Sequence, residues 1–153
     1  MTATPPSFAG SRAYPSRPFL AASVAVFRGG RVLLAERAVP PGARCFSLPG
    51  GLVEPGETLR EAALRELREE TGVEAEIVGF NDHVEVVERD AEGRVAAHFV
   101  VASFVGRWIA GEGDAGPEAL TTLWVPPDAA ANLRTTPHLP AILLRAATLA
   151  AGR

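Results

Sequence analysis

Apolar positions along this chain follow two rhythms. The runs from Leu20 to Arg28 and from Arg31 to Arg37 are aliphatic and partly β-branched, and they meet at Gly29-Gly30, which predicts two strands joined by a tight hairpin. Glu76 to Asp90 and Arg94 to Arg107 form a longer pair around Ala91-Glu92-Gly93, a second hairpin. Leu120 to Val125 reads as a further strand, closed by Pro126-Pro127. Between the hairpins the rhythm changes: Leu59, Ala62, Ala63 and Leu67 recur at three- and four-residue spacing, as on a helix with one apolar stripe. Thr58 followed by Glu61 has the capping-box spacing, and Gly72 can adopt the left-handed conformation that ends a helix, so the helix is predicted over 59–71. Thr136-Pro137 opens a second helix in which Leu139, Ile142, Leu143, Ala146 and Leu149 make the buried stripe. The class is α/β, with a sheet that is mixed or largely antiparallel.

Composition narrows the possibilities. At 153 residues, 47% apolar and 22% charged, the chain suits one domain over residues 19–153, preceded by an irregular Pro- and Ser-rich arm over residues 1–18. A net charge of −3 supplies no basic footprint for a nucleic acid polymer, so a small nucleotide is the easier partner. All basic residues are Arg; without Lys there is no Walker-type phosphate loop, Schiff base or Ser-Lys pair. Cys45 is the only cysteine, expected to pack as a small apolar residue beside Phe46, and nothing points to an oxidising compartment. Phe19 to Phe27, the longest apolar stretch, is too short to span a membrane, and no targeting segment is evident; a cytoplasmic location is the expectation. The oligomeric state stays open, a homodimer included.

Some apparent motifs dissolve on inspection. Gly111-Glu-Gly-Asp-Ala-Gly116 has dinucleotide-turn spacing, but Pro117 and a strand follow where a helix is required, so it reads as a flexible loop. His83, His98 and His138 lack metal-ligand spacing. Trp108 and Trp124 could stack on a base, although strand aromatics are more often core.

The chemistry concentrates in the first helix. Glu66, Glu69 and Glu70 lie at offsets of three and four, so their carboxylates share one face and repel one another. A hard divalent cation would compensate them; three glutamates with no paired His or Cys suit Mg²⁺, with Mn²⁺ as a substitute. The preceding Leu48-Pro49-Gly50-Gly51 lets the backbone come close to such an ion, with the Gly50 carbonyl as a candidate ligand. Glu57 and Arg65 are charged partners that could hold the turn against the helix and orient Glu66. Arg37, just before this turn, is a candidate contact for phosphate or ribose oxygens, or an ordinary strand-end arginine.

Gly51, Glu57, Arg65, Glu66, Leu67, Glu69, Glu70, Gly72 and Val73 fill every defined position of the Nudix box: Gly, five residues, Glu, seven residues, Arg-Glu-apolar-x-Glu-Glu-x-Gly-apolar. A chance match is on the order of 10⁻⁵ over the chain. A merely solvated Glu/Arg helix would leave the glycine turn, Glu57 and Gly72 as coincidences. The resemblance spans about Pro18 to Pro127 and implies an α/β/α sandwich, Mg²⁺-dependent hydrolysis of a nucleoside diphosphate linked to another group, and a supporting role for Glu57 and Arg65 behind the metal ligands. Glu118 matches a loop position where several Nudix enzymes carry a catalytic or metal-binding acid, although many have Asp there and Pro117 also departs; Glu118 and Glu69 are therefore the two candidates for general base. The stretch from Glu88 to Val100, with His98, resembles the strand pair of the ADP-ribose pyrophosphatase branch and makes His98 a candidate substrate contact. ADP-ribose or a similar nucleotide sugar is the leading expectation. Cleavage of nucleoside triphosphates, including oxidised ones, is the runner-up, and a non-catalytic binding domain is disfavoured by the complete box.

Overall fold

The computed structural model describes residues 12–39 and 42–152. Among the described residues seven strands form one mixed sheet: β1 (Phe19–Arg28), β2 (Arg31–Arg37), β3 (Phe46–Ser47), β4 (Gly50–Leu52), β5 (Glu74–Arg89), β6 (Val95–Ala110) and β7 (Ala119–Val125). Helix α1 (Leu59–Thr71) lies between β4 and β5, and α2 (Leu139–Ala151) follows a 3₁₀ turn over Pro127–Asn132. The main order is β3-β2-β1-β6-β5, with β4 also pairing β1 and β7 also pairing β2. All pairings are antiparallel except β1 with β6, which run parallel from Phe19 beside Phe99 to Phe27 beside Arg107.

Strand alternation divides the core into two layers. Ala22, Val24 and Val26 of β1, Leu33 of β2, and Ala102 and Phe104 of β6 face α1, where they bury Ala62, Ala63 and Leu67. Their strand neighbours Ala25, Val32, Leu34 and Val105 face the other way and meet Leu139, Ile142, Leu143 and Ala146 of α2. Helices thus cover both sheet faces, the α/β/α sandwich that the family resemblance implied and the element order fitted.

Helix α1 has the predicted limits for the predicted reasons. The Thr58 hydroxyl accepts a hydrogen bond from the Glu61 amide at 3.1 Å, and Gly72, at φ 71°, closes the other end with its amide on the Arg68 carbonyl. Positive φ at Gly29 and Gly30 fits the two-residue hairpin turn between β1 and β2. The second hairpin is longer than predicted, beginning at Glu74 and ending at Ala110, because register shifts in β5 interrupt its alternation while the pairing continues. Helix α2 starts at Leu139, not at Thr136-Pro137, and the proline in its first turn is Pro140. Strands β3 and β4 are two and three residues long, too short for any periodicity, and were not predicted.

The loop over residues 111–116 is tied down rather than free. Trp108 Nε1–H donates to the Gly111 carbonyl at 2.7 Å, Trp124 Nε1–H to the Glu112 carbonyl at 2.7 Å, and the Gly116 amide to the Glu70 carbonyl at 2.5 Å. Both indoles pack against the α1-side core and serve as posts for this loop. Cys45 is partly buried and free. Part of the N-terminal arm, residues 1–11, lies outside the described residues.

Candidate active site

A cavity of about 960 Å³ opens beside α2, walled by Ala21 and Ser23 of β1, Arg37 of β2, Val84 and Val86 of β5, and Phe99, Val101 and Ser103 of β6. Gly50 and Gly51 of β4 and the acidic face of α1 form its other side, and Glu118 comes from the loop before β7. The glycines permit this approach. A Cβ on Gly50 would stand 2.5 Å from the Ala22 carbonyl oxygen, and one on Gly51 would occupy the place of the Glu66 carboxylate.

Three carboxylates converge there. Oxygens of Glu66, Glu70 and Glu118 lie within 4.8 Å of one another. Burial first, and then the neighbouring Glu66 charge, push the Glu70 carboxyl up to about 8, against the opposing pull of Arg37 and a hydrogen bond from the Gly50 amide. Glu66 is also raised, again chiefly by burial. Such a cluster of oxygens, two of them from partly buried side chains and one from an exposed one, is a donor set that a hard divalent cation fits. Arg37 is a cation facing it; burial lowers its pKa, while Glu70 and Glu118 hold it up.

Arg65 organises the acidic helix. Its Nε–H and Nη2–H donate to the two oxygens of Glu57 at 2.7 and 2.9 Å, Nη2–H also reaches the Leu52 carbonyl at 3.0 Å, and Nη1–H reaches Glu66 Oε1 at 2.9 Å and Glu69 Oε2 at 3.1 Å. This holds the Glu57 carboxyl down to about 2, first through the Arg65 bond and then through the Glu54 amide. The turn is thereby fastened to the helix at both its carbonyl and its acid.

The predicted residues therefore divide. Glu66, Glu70, Gly50 and Arg37 come together with Glu118, which joins the acidic cluster rather than standing off from it. Glu69 lines the same cavity but its carboxylate is turned onto Arg65. Gly50 presents its amide to Glu70. His98 sits on β6 between Ala97 and Phe99, on the face away from Phe99, Val101 and Ser103, and is not part of the cavity wall. Arg12 and Ser103 line the cavity without any sequence signal to single them out: one belongs to a Pro- and Ser-rich arm, the other to an apolar strand.

The chain's likenesses agree with this geometry. The NUDIX domain family model matches residues 17–145. An ADP-ribose pyrophosphatase of Methanocaldococcus jannaschii is 34% identical over 102 residues, covering 67% of this chain and 58% of that protein. A CTP pyrophosphohydrolase of Escherichia coli is 42% identical over 69 residues, covering 44% of this chain and 49% of that protein. The chain thus spans about half the length of these two relatives. Among solved structures, a MutT NUDIX hydrolase from Burkholderia pseudomallei superposes with a TM-score of 0.74 at 27% identity, covering 85% of this chain and 98% of that one. The NUDIX domain of Shewanella oneidensis NrtR, complexed with ADP ribose, shares the fold with a TM-score of 0.72 at 20% identity, covering 89% and 90%. A complete box, folded so that its acids meet at a cavity, lies within a domain match of this extent: the chain belongs to the Nudix hydrolase family.

Proposed function

We propose that this protein hydrolyses the diphosphate linkage of a nucleoside diphosphate joined to another group, ADP-ribose or a similar nucleotide sugar, with Mg²⁺ as cofactor. The observation that carries this reading is the meeting of Glu66, Glu70 and Glu118 beside Arg37 at the wall of one cavity. Mg²⁺ held by Glu66, Glu70 and Glu118, or by Glu66, Glu69 and Glu70, would supply Lewis-acid neutralisation of the diphosphate charge. Mn²⁺ would substitute, having the same preference for oxygen ligands.

The chain's own groups do the rest. Arg37 binds a phosphate oxygen through its guanidinium fork. A carboxylate, Glu118 or Glu69, accepts the proton of the attacking water; the water oxygen bonds to one phosphorus as the bridging P–O bond breaks, releasing AMP and ribose phosphate from ADP-ribose. Glu69 is the weaker candidate because Arg65 already engages it. The cavity volume sits near the upper end of the ~300–1,000 Å³ typical of small-molecule sites, which suits a substrate extended on both sides of its diphosphate. The likeness to the archaeal ADP-ribose pyrophosphatase supports the same substrate class.

A second reading, cleavage of nucleoside triphosphates to monophosphate and pyrophosphate, is favoured by the likeness to the Escherichia coli CTP pyrophosphohydrolase, which covers less of this chain. Products separate the two. Purified protein with Mg²⁺ is assayed against nucleotide sugars, dinucleotides and nucleoside triphosphates, with Glu70→Gln as control. AMP and ribose phosphate from ADP-ribose, abolished in the variant, bear out the first reading; pyrophosphate from triphosphates replaces it with the second.

A further inference from the structure

The described part of the N-terminal arm is fastened to the far hairpin at one residue. Tyr14 has φ 49°, a left-handed conformation that costs free energy for a residue with a bulky side chain. Its surroundings hold it there. The Tyr14 amide donates to the Ala96 carbonyl at 2.9 Å, its hydroxyl donates to Asp90 Oδ2 at 3.0 Å, and the Arg94 guanidinium lies 5.1 Å from the ring centroid. Asp90 is itself fixed, accepting from the amides of Glu92 and Arg94 at 3.0 and 2.9 Å and from Arg94 Nε–H at 3.0 Å. One residue before Tyr14, Ala13 packs into a small apolar cluster with Phe99, Val86, Val101 and Leu52, the same side chains that line the cavity.

One residue further back, this anchorage brings Arg12 to the cavity wall. Arg12 is exposed and forms no ion pair among the described residues. It shares the wall of this cavity with Arg37, so two guanidiniums border the same space despite their mutual repulsion. Two such cations on the wall of a cavity that also holds an acidic cluster suited to a metal are matched by an anion that can bridge between them and that metal.

We propose that residues 12–14 form a fixed wall of the cavity, in which Arg12 supplies a second guanidinium beside Arg37 for the diphosphate of the substrate, and Tyr14 sets its position. This rests on the reading of the cavity as a diphosphate site. Arg12 is a binding residue, and Tyr14 is a positioning residue that acts through it.

Calorimetric titration of the full chain with inorganic pyrophosphate and Mg²⁺ tests the proposal without requiring turnover. Arg12→Ala should weaken binding roughly tenfold or more at unchanged Tm, Arg12→Lys by less because charge remains without the fork, and Tyr14→Phe by an intermediate factor. Arg17→Ala, on the same arm but outside the cavity wall, should bind as wild type. On any hydrolysed substrate, Arg12→Ala should raise KM and leave kcat nearly unchanged. Binding by Arg12→Ala equal to wild type, an equal loss in Arg17→Ala, or no binding by the wild type would each overturn the proposal. Silence of the nucleotide panel with the Arg12 dependence of pyrophosphate binding intact would instead sink the functional reading and leave Arg12 as an anion-binding residue.

Discussion

Arg65 grips both oxygens of Glu57 across the turn between β4 and α1, at 2.7 and 2.9 Å. The same guanidinium bonds Glu66, so a single planar group sets the distance between the turn and the acidic face of the helix. Lys has one point charge and no fork. Arg65→Lys should lower kcat/KM and Mg²⁺ affinity by about 10–100-fold, the usual effect of losing a group that orients metal ligands. Metal titration followed by activity checks this; wild-type affinity would mean that Glu66 is held by the backbone alone.

Gly50 and Gly51 make different predictions for stability although they are neighbours. A Cβ at Gly51 meets the end of a flexible side chain, Glu66 Oε1 at 2.5 Å, which can swing away. Gly51→Ala should therefore keep a melting temperature near wild type and lose most of its activity. At position 50 the Cβ would instead meet the Ala22 carbonyl oxygen at 2.5 Å and Ser23 Cα at 2.8 Å, both on the central strand β1. Gly50→Ala should lower the melting temperature as well as the activity.

Stability in the absence of metal should fall as pH rises through neutrality. The Glu70 carboxyl, held at about 8 in the fold against an ordinary value of 4.5, keeps a proton that the unfolded chain gives up. Its contribution is full below 4.5 and is lost as pH climbs to 8. Glu57, held at about 2, has the opposite sign: its contribution is present above 4.5 and lost as pH falls towards 2. Melting of metal-free protein at pH 6 and 8.5 tests the first statement. Mg²⁺ should raise Tm more at 8.5 than at 6, and Glu70→Gln should flatten the alkaline decline.

Leu67 is fully buried between α1 and the sheet, one position from Glu66. Leu67→Ala should cost ~2–5 kcal/mol of stability, readable by urea denaturation. Thr58→Ala, which removes the helix cap, should cost ~1 kcal/mol.

Local features of the chain were the legible ones. The limits of α1 were readable because its caps, Thr58 and Gly72, act within one turn of the helix they bound. The β1 and β2 runs carried their own turn in Gly29-Gly30. What could not be read were relations between distant segments. The parallel pairing of β1 with β6 brings together strands some eighty residues apart, and no spacing encodes that. Glu118 could be suspected only from a family position; its meeting with Glu66 and Glu70 depends on how the 111–118 loop returns to α1. Glu69 shared the helical face of Glu66 and Glu70, but the competition for Arg65 that turns its carboxylate aside depends on rotamers, not on periodicity. Arg12 lay in a segment with no pattern at all.

The bond from the Gly116 amide to the Glu70 carbonyl links these pieces in a way that side chains alone would not. Glu70 is both an acid of the cluster and the owner of one of the carbonyls left over at the C-terminal end of α1, where intrahelical partners run out. The loop that brings in Glu118 supplies the missing donor. Fraying of the last helical turn and departure of the third carboxylate are consequently a single event, and the exchange rate of one backbone amide, Gly116, should report how often the acidic cluster comes apart in the resting protein.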